Sequence, residues 1–486
     1  MRTRMVLLLG ALGLVAAMAT GAGATGWLDF GVFRDRQLGG ASYALYGVDR
    51  PLDASSTASV DATTATANPG SLVTLARGLR ARVVTSGVAA PNLDQGALWP
   101  SPRDPRWLVS CNEQGVADPG LQRINLRTGA AETIVTGTTA CDGVRLTAWG
   151  TILFSEEAGG GAAGGAAYEL KNPLETTGVT LDRATGIFTG GVGAENLVAR
   201  PGLGRLSFEG HGLLPNGVMY FGDENRPSKG TAGGAYFKFT PARPWVSGTL
   251  TNLADSPLAS GKISGLRVGV RSGATDYGQG SQIGQGTWVP VCDDATATPC
   301  ANSDLRAKSA ELKLTGYYRP EDLEVDPAAL SVGQVKVCGP NTGIEDFGNW
   351  GEVLCISDGD VAGSLAGTAI PEAQYLVVGN PQFAMPDNIA FQPGRGNWVV
   401  HEDGATEVTG RNNDLWDCLP DRADADLLSD GCVRVATIND LPDAAAGREG
   451  AEWTGGIFDA SGTHFYVSVQ HNVTGHGVIL DITGWR

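Results

Sequence analysis

The sequence predicts an all-β fold, a β-propeller. Three observations carry that prediction. Glycine supplies 70 of 486 residues and proline a further 25; glycine usage averages about 7%, and this excess favours turns over long helices. From Trp107 onward, apolar runs of a few residues alternate with polar or acidic turns. Few segments sustain a helical period. Many short strands spaced by turns over most of the chain fit a propeller better than a sandwich.

Arg2 and Arg4 precede an apolar run from Met5 to Ala19, and Ala22-Gly23-Ala24 puts small residues at the −3 and −1 positions of a cleavage site. This is the pattern of a secretory leader over residues 1–24. The run is shorter than the ~20 residues that a membrane span needs. The expectation is a secreted or periplasmic protein with no stable membrane insertion once the leader is cut. Residues 25–105 are poor in periodic pattern and are expected to form an irregular N-terminal segment packing on the propeller. Within it, residues 54–67 are rich in Ser, Thr and Ala and read as a loop or flexible insert.

Residues 106–486 carry the propeller pattern. Trp107-Leu-Val-Ser is followed by Cys111-Asn112-Glu113. Thr151-Ile-Leu-Phe-Ser is followed by Glu156-Glu157, and Val218-Met-Tyr-Phe by Gly222-Asp223-Glu224. Trp398-Val-Val leads into His401-Glu402-Asp403, and His464-Phe-Tyr-Val-Ser-Val into Gln470-His471. Such runs match buried strands. In a propeller, strand ends at one mouth of the central channel converge, so acids far apart in sequence assemble. Residues 158–167 are entirely Gly and Ala and read as a mobile loop. The pair Gln470-His471 reads as closing a blade turn, and His211 as a hydrogen-bonded surface group.

The charge balance is 35 basic against 52 acidic residues, a net of −17. No Lys/Arg run interrupts it, so the footprint of a nucleic-acid binder is missing. The anionic surface suits a soluble monomer. Excess carboxylate suits Ca²⁺, which takes oxygen ligands. An acidic protein that handles an anionic substrate needs local positive charge, and metal ions supply it. The eight cysteines pair closely as Cys292 with Cys300, Cys338 with Cys355, and Cys418 with Cys432, read as local disulfides in an oxidising compartment. Cys111 and Cys141 are left: either a fourth disulfide, or one of them a thiolate metal ligand. There is no P-loop, no His-Glu-x-x-His and no Gly-x-Ser-x-Gly elbow. The glycines Gly278, Gly280, Gly284 and Gly286 lack a βαβ context.

Several words in order resemble the PhoX-type alkaline phosphatase family. Cys141-Asp-Gly-Val-Arg-Leu-Thr-Ala-Trp149-Gly150-Thr151, then Ser155-Glu156-Glu157, is similar to the family's Asn-Cys-x-Gly-Gly-x-Thr-Pro-Trp-Gly-Thr and Cys-Glu-Glu. Gly204-Arg205-Leu-Ser-Phe-Glu209 resembles its Gly-Arg-Phe-x-His-Glu. Tyr220-Phe-Gly222-Asp223-Glu224, Arg319-Pro320-Glu321-Asp322 and Pro386-Asp387-Asn388 match further words, as do the stretches at Glu452 and Gln470-His471. The resemblance runs from about Trp107 to Trp485. The chain departs from it in having Ala140 and Val144 at two word positions, one extra residue between Cys141 and Trp149, and a leader without adjacent arginines.

The resemblance implies a six-bladed β-propeller with loops and small added elements. It implies hydrolysis of small-molecule phosphate monoesters by a metal-bound oxygen nucleophile, outside the cytoplasm. The implied cofactors are Ca²⁺ and Fe³⁺ at the channel mouth. By the same analogy Cys141 is an iron ligand, and Glu209 and Glu321 are carboxylate ligands. Glu156, Glu157, Asp223, Asp387, Glu402, Asp403 and Glu452 are metal ligands or their supports, and Arg319 contacts the phosphoryl oxygens. The chemistry is coherent: multivalent cations reverse the local field, and a planar guanidinium suits equatorial phosphoryl oxygens. The rival readings are a catalytically silent, calcium-binding propeller that acts as an extracellular binding module, and a propeller hydrolase of phosphodiesters or lactones acting through Ca²⁺ alone.

Overall fold

Antiparallel meanders account for most of residues 42–486. The computed structural model describes residue 37 and residues 40–486, apart from 230, 269–282, 405, 407, 408, 422–425, 444 and 446. The leader, Gly278 and Gly280 lie outside the described residues. The chain divides into two units, residues 1–41 and 42–486, and the architecture below is that of the second.

Four sheets are separate stacks. One runs Leu93–Trp99, Trp107–Asn112, Pro119–Asn125, Ala131–Thr136, and is widened by Val179–Asp182 and Ile187–Thr189. The next contains Cys141–Leu146, Ile152–Glu156, Ala167–Leu170 and Leu197–Ala199. A third contains Pro386–Phe391, Trp398–Glu402, Asp414–Cys418 and Cys432–Ile438, edged by Val73–Leu75. The fourth contains Glu452–Phe458, His464–Gln470 and Val478–Thr483, edged by Arg80–Ser86. Residues 73–99 thus contribute three strands to these sheets.

The fifth sheet departs from the expectation of six separate blades. It has nine strands, from His211–Leu213 at one end to Glu324–Val325 at the other. The cause is the ten-residue strand Gly284–Asp293, which pairs with Gly261–Val268 on one side and with Glu372–Val378 on the other. It joins two meanders into one sheet, whose end strands pack together. The arrangement is four blades plus a nearly closed barrel.

The first strand of each meander faces the centre. Leu93–Trp99 packs on Cys141–Leu146, which packs on His211–Leu213. That strand packs on Glu324–Val325, then come Pro386–Phe391 and Glu452–Phe458, which returns to Leu93–Trp99. Strands between these layers are apolar on both faces because a neighbouring sheet covers each. Ile152–Glu156 is buried throughout. Rings fill the layers: Phe221 lies 5.4 Å from Phe208 and stacks on Phe237 at 5.7 Å.

All eight cysteines are paired, in the three close pairs and in Cys111–Cys141. Cys338 and Cys355 face each other across paired strands, as do Cys418 and Cys432. Two loop expectations also change. Residues 62–67 form a short helix, because Asp61 caps it by accepting from the Thr64 amide. The Gly/Ala loop is pinned: Arg183 donates to the Ala163 carbonyl at 3.0 Å, and Arg205 to that of Gly164 at 3.2 Å.

Candidate metal centre

Strand alternation decides which acids reach the centre. Side chains at successive strand positions point to opposite faces, so each acidic doublet is split. Glu156 points into its own blade, where Arg183 Nε donates to it at 2.7 Å and Tyr168 Oη at 3.1 Å. Glu157, the next residue, faces the centre. Glu402 is fully buried and receives Arg411, the Ala384 amide and the Trp416 indole. Asp403 instead lies 3.7 Å from Arg319 Nη2. Asp223 is held by Arg306 at 2.6 Å, from the helix Leu305–Leu312 that Asp304 caps, while Glu224 accepts from Arg319 at 2.7 Å. Asp322 is tied to Arg145 at 2.7 Å, whereas Glu321 accepts from Thr342 at 2.5 Å and faces Arg319 Nη2 at 3.5 Å.

The same alternation corrects Cys141. Its sulfur is bonded to Cys111, and both residues are buried among apolar side chains. Cys141 is therefore no thiolate ligand. Asp142 points the other way. One oxygen each of Asp94, Glu113 and Asp142 lie within 4.8 Å of one another, and so do one oxygen each of Asp142, Glu157 and Glu209. Asp142 belongs to both groups. Gly143 permits the approach: a Cβ there would stand 1.9 Å from the Glu209 carbonyl oxygen.

Of the acids that sequence reading singled out, Glu157, Glu209, Glu321, Asp387, Asp403 and Glu452 face the centre. Glu156, Asp223 and Glu402 are committed to arginines inside the protein and do not. Asp94, Glu113, Asp142 and Glu224 were missed. Asp94 had no acidic turn around it to mark it, but the Cys-Asp-Gly word already held Asp142.

The Gln-His pair also faces the centre rather than closing a blade turn. Gln470 Nε2 donates to Glu113 at 2.5 Å, and His471 Nε2 lies 3.1 Å from Glu452 Oε1. His211 is not at the surface but fully buried, hydrogen-bonded to Ser155 at 2.8 Å. Burial, and then the charge of Arg145, push its pKa down to about 3.

Burial pushes the carboxyls of Asp94, Asp142, Glu157, Glu209, Glu321, Asp387 and Glu452 well above the usual range, and neighbouring carboxylates push them further. Like charges at this spacing cannot all ionise unless cations join them. Asp94 Oδ1 and Asp142 Oδ1 are buried with no hydrogen-bond partner. An unpartnered, acceptor-only oxygen set of this kind fits a cation.

The centre opens on a cavity of about 340 Å³ walled by Arg226, Arg319, Asp403, Glu452 and His471. Burial opposes the charge of Arg319, but Glu321, Glu224 and Asp403 outweigh it and hold the guanidinium protonated. Arg319, Met385 and His471 all line this cavity in left-handed backbone, with φ of 54°, 54° and 52°. Such conformations cost free energy and cluster at functional sites.

A propeller-like all-β fold with a buried polycarboxylate centre and a seated arginine defines the class of protein. Within that class, the chain belongs to the alkaline phosphatase PhoX family, whose model matches residues 106–472. Among solved structures it is similar to Pseudomonas fluorescens PhoX in complex with vanadate, a transition state analogue. The identity is 14% over 89% of this chain and 98% of that one, with a TM-score of 0.59. It also matches, at a TM-score of 0.38 and 11% identity, an auxiliary nutrient binding protein from Bacteroides thetaiotaomicron, over 81% of this chain and 70% of that one. No curated protein matches the sequence.

Proposed function

We propose that the chain is an exported, cation-dependent phosphatase of small phosphate monoesters. One observation carries this reading: a buried carboxylate centre opens on a cavity walled by two arginines, in a chain of net charge −17. A phosphate dianion finds local attraction there and repulsion elsewhere. Family membership over residues 106–472 agrees.

Glu157, Glu209, Asp94, Glu113 and Asp142 would hold cations on one side, and Glu321, Asp387, Asp403 and Glu452 would line the other. When bound, Ca²⁺, with or without Fe³⁺, supplies the charge that neutralises phosphoryl oxygens and activates an oxygen nucleophile. The chain's own residues do the rest. Glu224 fixes Arg319 through Nε, which leaves the Nη groups to bind non-bridging phosphoryl oxygens. Arg226, on the exposed rim and paired with Glu345 at 3.0 Å, meets the incoming dianion. His471 stands at the cavity wall, where a leaving-group oxygen would depart.

We also propose that the six-blade count survives in the nine-stranded sheet as two four-stranded meanders bridged by Gly284–Asp293. Residues 1–24 are proposed as a cleaved leader, and residues 106–486 as the propeller, to which Val73–Leu75, Arg80–Ser86 and Leu93–Trp99 add strands from before residue 106. The protein would work as a monomer in the periplasm or outside the cell, as four disulfides suit. The test is release of p-nitrophenol from p-nitrophenyl phosphate by chain supplied with Ca²⁺ and Fe³⁺, before and after chelation. Hydrolysis abolished by chelator and restored by cations is the expected result. Cation-loaded chain that hydrolyses no monoester would overturn it in favour of the silent, calcium-binding propeller.

A further inference from the structure

We propose that the centre is an all-oxygen, two-cation site in which Asp142 bridges the two positions. Asp94 and Glu113 complete one position, and Glu157 and Glu209 complete the other. This rests on the reading that the centre holds cations, and it specifies which cations and how they are shared.

The geometry points to sharing. The two carboxylate groupings have one common member, Asp142. Its Oδ1 is buried and unpartnered, and its carboxyl is hydrogen-bonded to Glu209, so Asp142 is tied to one position and keeps an oxygen to offer a cation. A separate side chain points to the same place. Gln470 is 1% exposed, donates its amide to Glu113, and keeps Oε1 buried without a partner. That leaves a neutral oxygen donor beside the Asp94–Glu113 position. Carboxylates joined by an amide oxygen are the ligand set that calcium takes.

The donor set also excludes soft chemistry. All eight cysteines are in disulfides, and the one next to Asp142 is turned into the blade interior. Thiolate would favour thiophilic metals, whereas oxygens alone favour hard cations. The one-residue step from Cys141 to Asp142 therefore replaces a sulfur donor with a bridging carboxylate. Any iron taken up must then be held by oxygen.

The experiment strips the chain with chelator and counts bound Ca²⁺ by equilibrium dialysis, with variants compared to wild type. Asp94→Asn and Glu157→Gln should each lose one bound ion. Asp142→Asn should lose two. Loss of one ion or none by Asp142→Asn would overturn the bridge. A circular dichroism spectrum matching wild type shows that each variant is folded. A second readout needs no variant: the wild-type chain is loaded with Fe³⁺, and its visible spectrum and free thiols are measured. No thiolate-to-iron charge-transfer band and no titratable thiol are expected. A band with a free thiol would overturn the all-oxygen assignment. Both readouts are independent of turnover, so two bound calcium ions without hydrolysis would sink the phosphatase reading alone.

Discussion

Arg319 Nε donates to Glu224 Oε1 at 2.7 Å; Glu224 follows the strand Met219–Gly222 of one meander, and Arg319 precedes Glu324–Val325, the first strand of the other. The contact fixes the guanidinium plane while Glu321 and Asp403 stand farther off, at 3.5 and 3.7 Å. Arginine here is both seated and permanently charged. Loss of one such preorganised donor costs on the order of 10²–10³ in rate. Arg319→Ala should lower kcat/KM for p-nitrophenyl phosphate by about that factor. Arg319→Lys should recover little, because an ammonium cannot reproduce the fork. Full activity in the lysine variant would mean that only charge matters at this position.

The pH dependence of the cation-free chain follows from the raised carboxyls. In the unfolded chain these groups titrate near pH 4. In the folded chain burial, and then their neighbours, hold them higher. The folded chain therefore keeps protons that the unfolded chain releases. The stability this confers is complete below the unfolded values and is lost as pH rises through the folded ones. With chelator present, Tm should fall as pH rises above the unfolded carboxyl values near pH 4. At pH 8, added Ca²⁺ should restore it by mass action. A Tm that is flat with pH and indifferent to Ca²⁺ would show that the carboxylates are already satisfied within the protein.

The acidic doublets separate structure from site. Glu402 is fully buried against Arg411, and Arg411 Nη1 approaches it to 2.6 Å. Glu402→Gln should cost about 3 kcal/mol in denaturant unfolding, as breaking a buried pair does, and should leave the number of bound calcium ions unchanged. Asp403→Asn, one residue on, should leave Tm nearly unchanged and lower kcat/KM. The two profiles exchanged would reverse the assignment of the faces.

These doublets also show what the sequence could reveal. Apolar runs ending in Glu156-Glu157, Asp223-Glu224 or Glu402-Asp403 announced strand ends at one mouth, and they end there. Alternation guarantees that one member of each doublet turns inward, but it does not say which. That choice depends on where Arg183, Arg306 and Arg411 sit, and each comes from a distant or irregular segment. The same ambiguity covers Cys141 and Asp142: the two adjacent residues face opposite ways, and the sequence does not say that the aspartate is the one facing the centre. The merging of two meanders was equally hidden. It depends on Gly284–Asp293 reaching two residues of a strand far along the chain, Glu372 and Ala373, and no local pattern encodes that pairing.

The Cys111–Cys141 disulfide closes a loop with a sequence separation of 30. In the chain-entropy view that is worth roughly 3–4 kcal/mol. The double variant Cys111→Ala/Cys141→Ala should lose about that much stability. It should still bind calcium, since neither sulfur faces the centre. A variant of unchanged stability that no longer binds calcium would show that the disulfide acts on Asp142 and Glu113 directly rather than on the unfolded chain.

Gly143 gives the sharpest single-atom test of the centre. A methyl there would stand 1.9 Å from the Glu209 carbonyl oxygen, 2.8 Å from His211 Nε2 and 2.9 Å from Ser155 Oγ. The first is backbone and cannot rotate away, so the strand carrying Asp142 must retreat from the segment carrying Glu209. Overpacking of this kind costs about 1–3 kcal/mol. Here the retreat also opens the gap that a cation would span. Gly143→Ala should therefore weaken calcium binding at the Asp142–Glu157–Glu209 position more than at the Asp94–Glu113 position. Gly70→Ala, whose added methyl meets only Asn68 Oδ1 at 3.5 Å, is the matched control and should change neither. Equal calcium binding in both variants would mean that the spacing of Asp142 and Glu209 is set by something other than the glycine between these two segments.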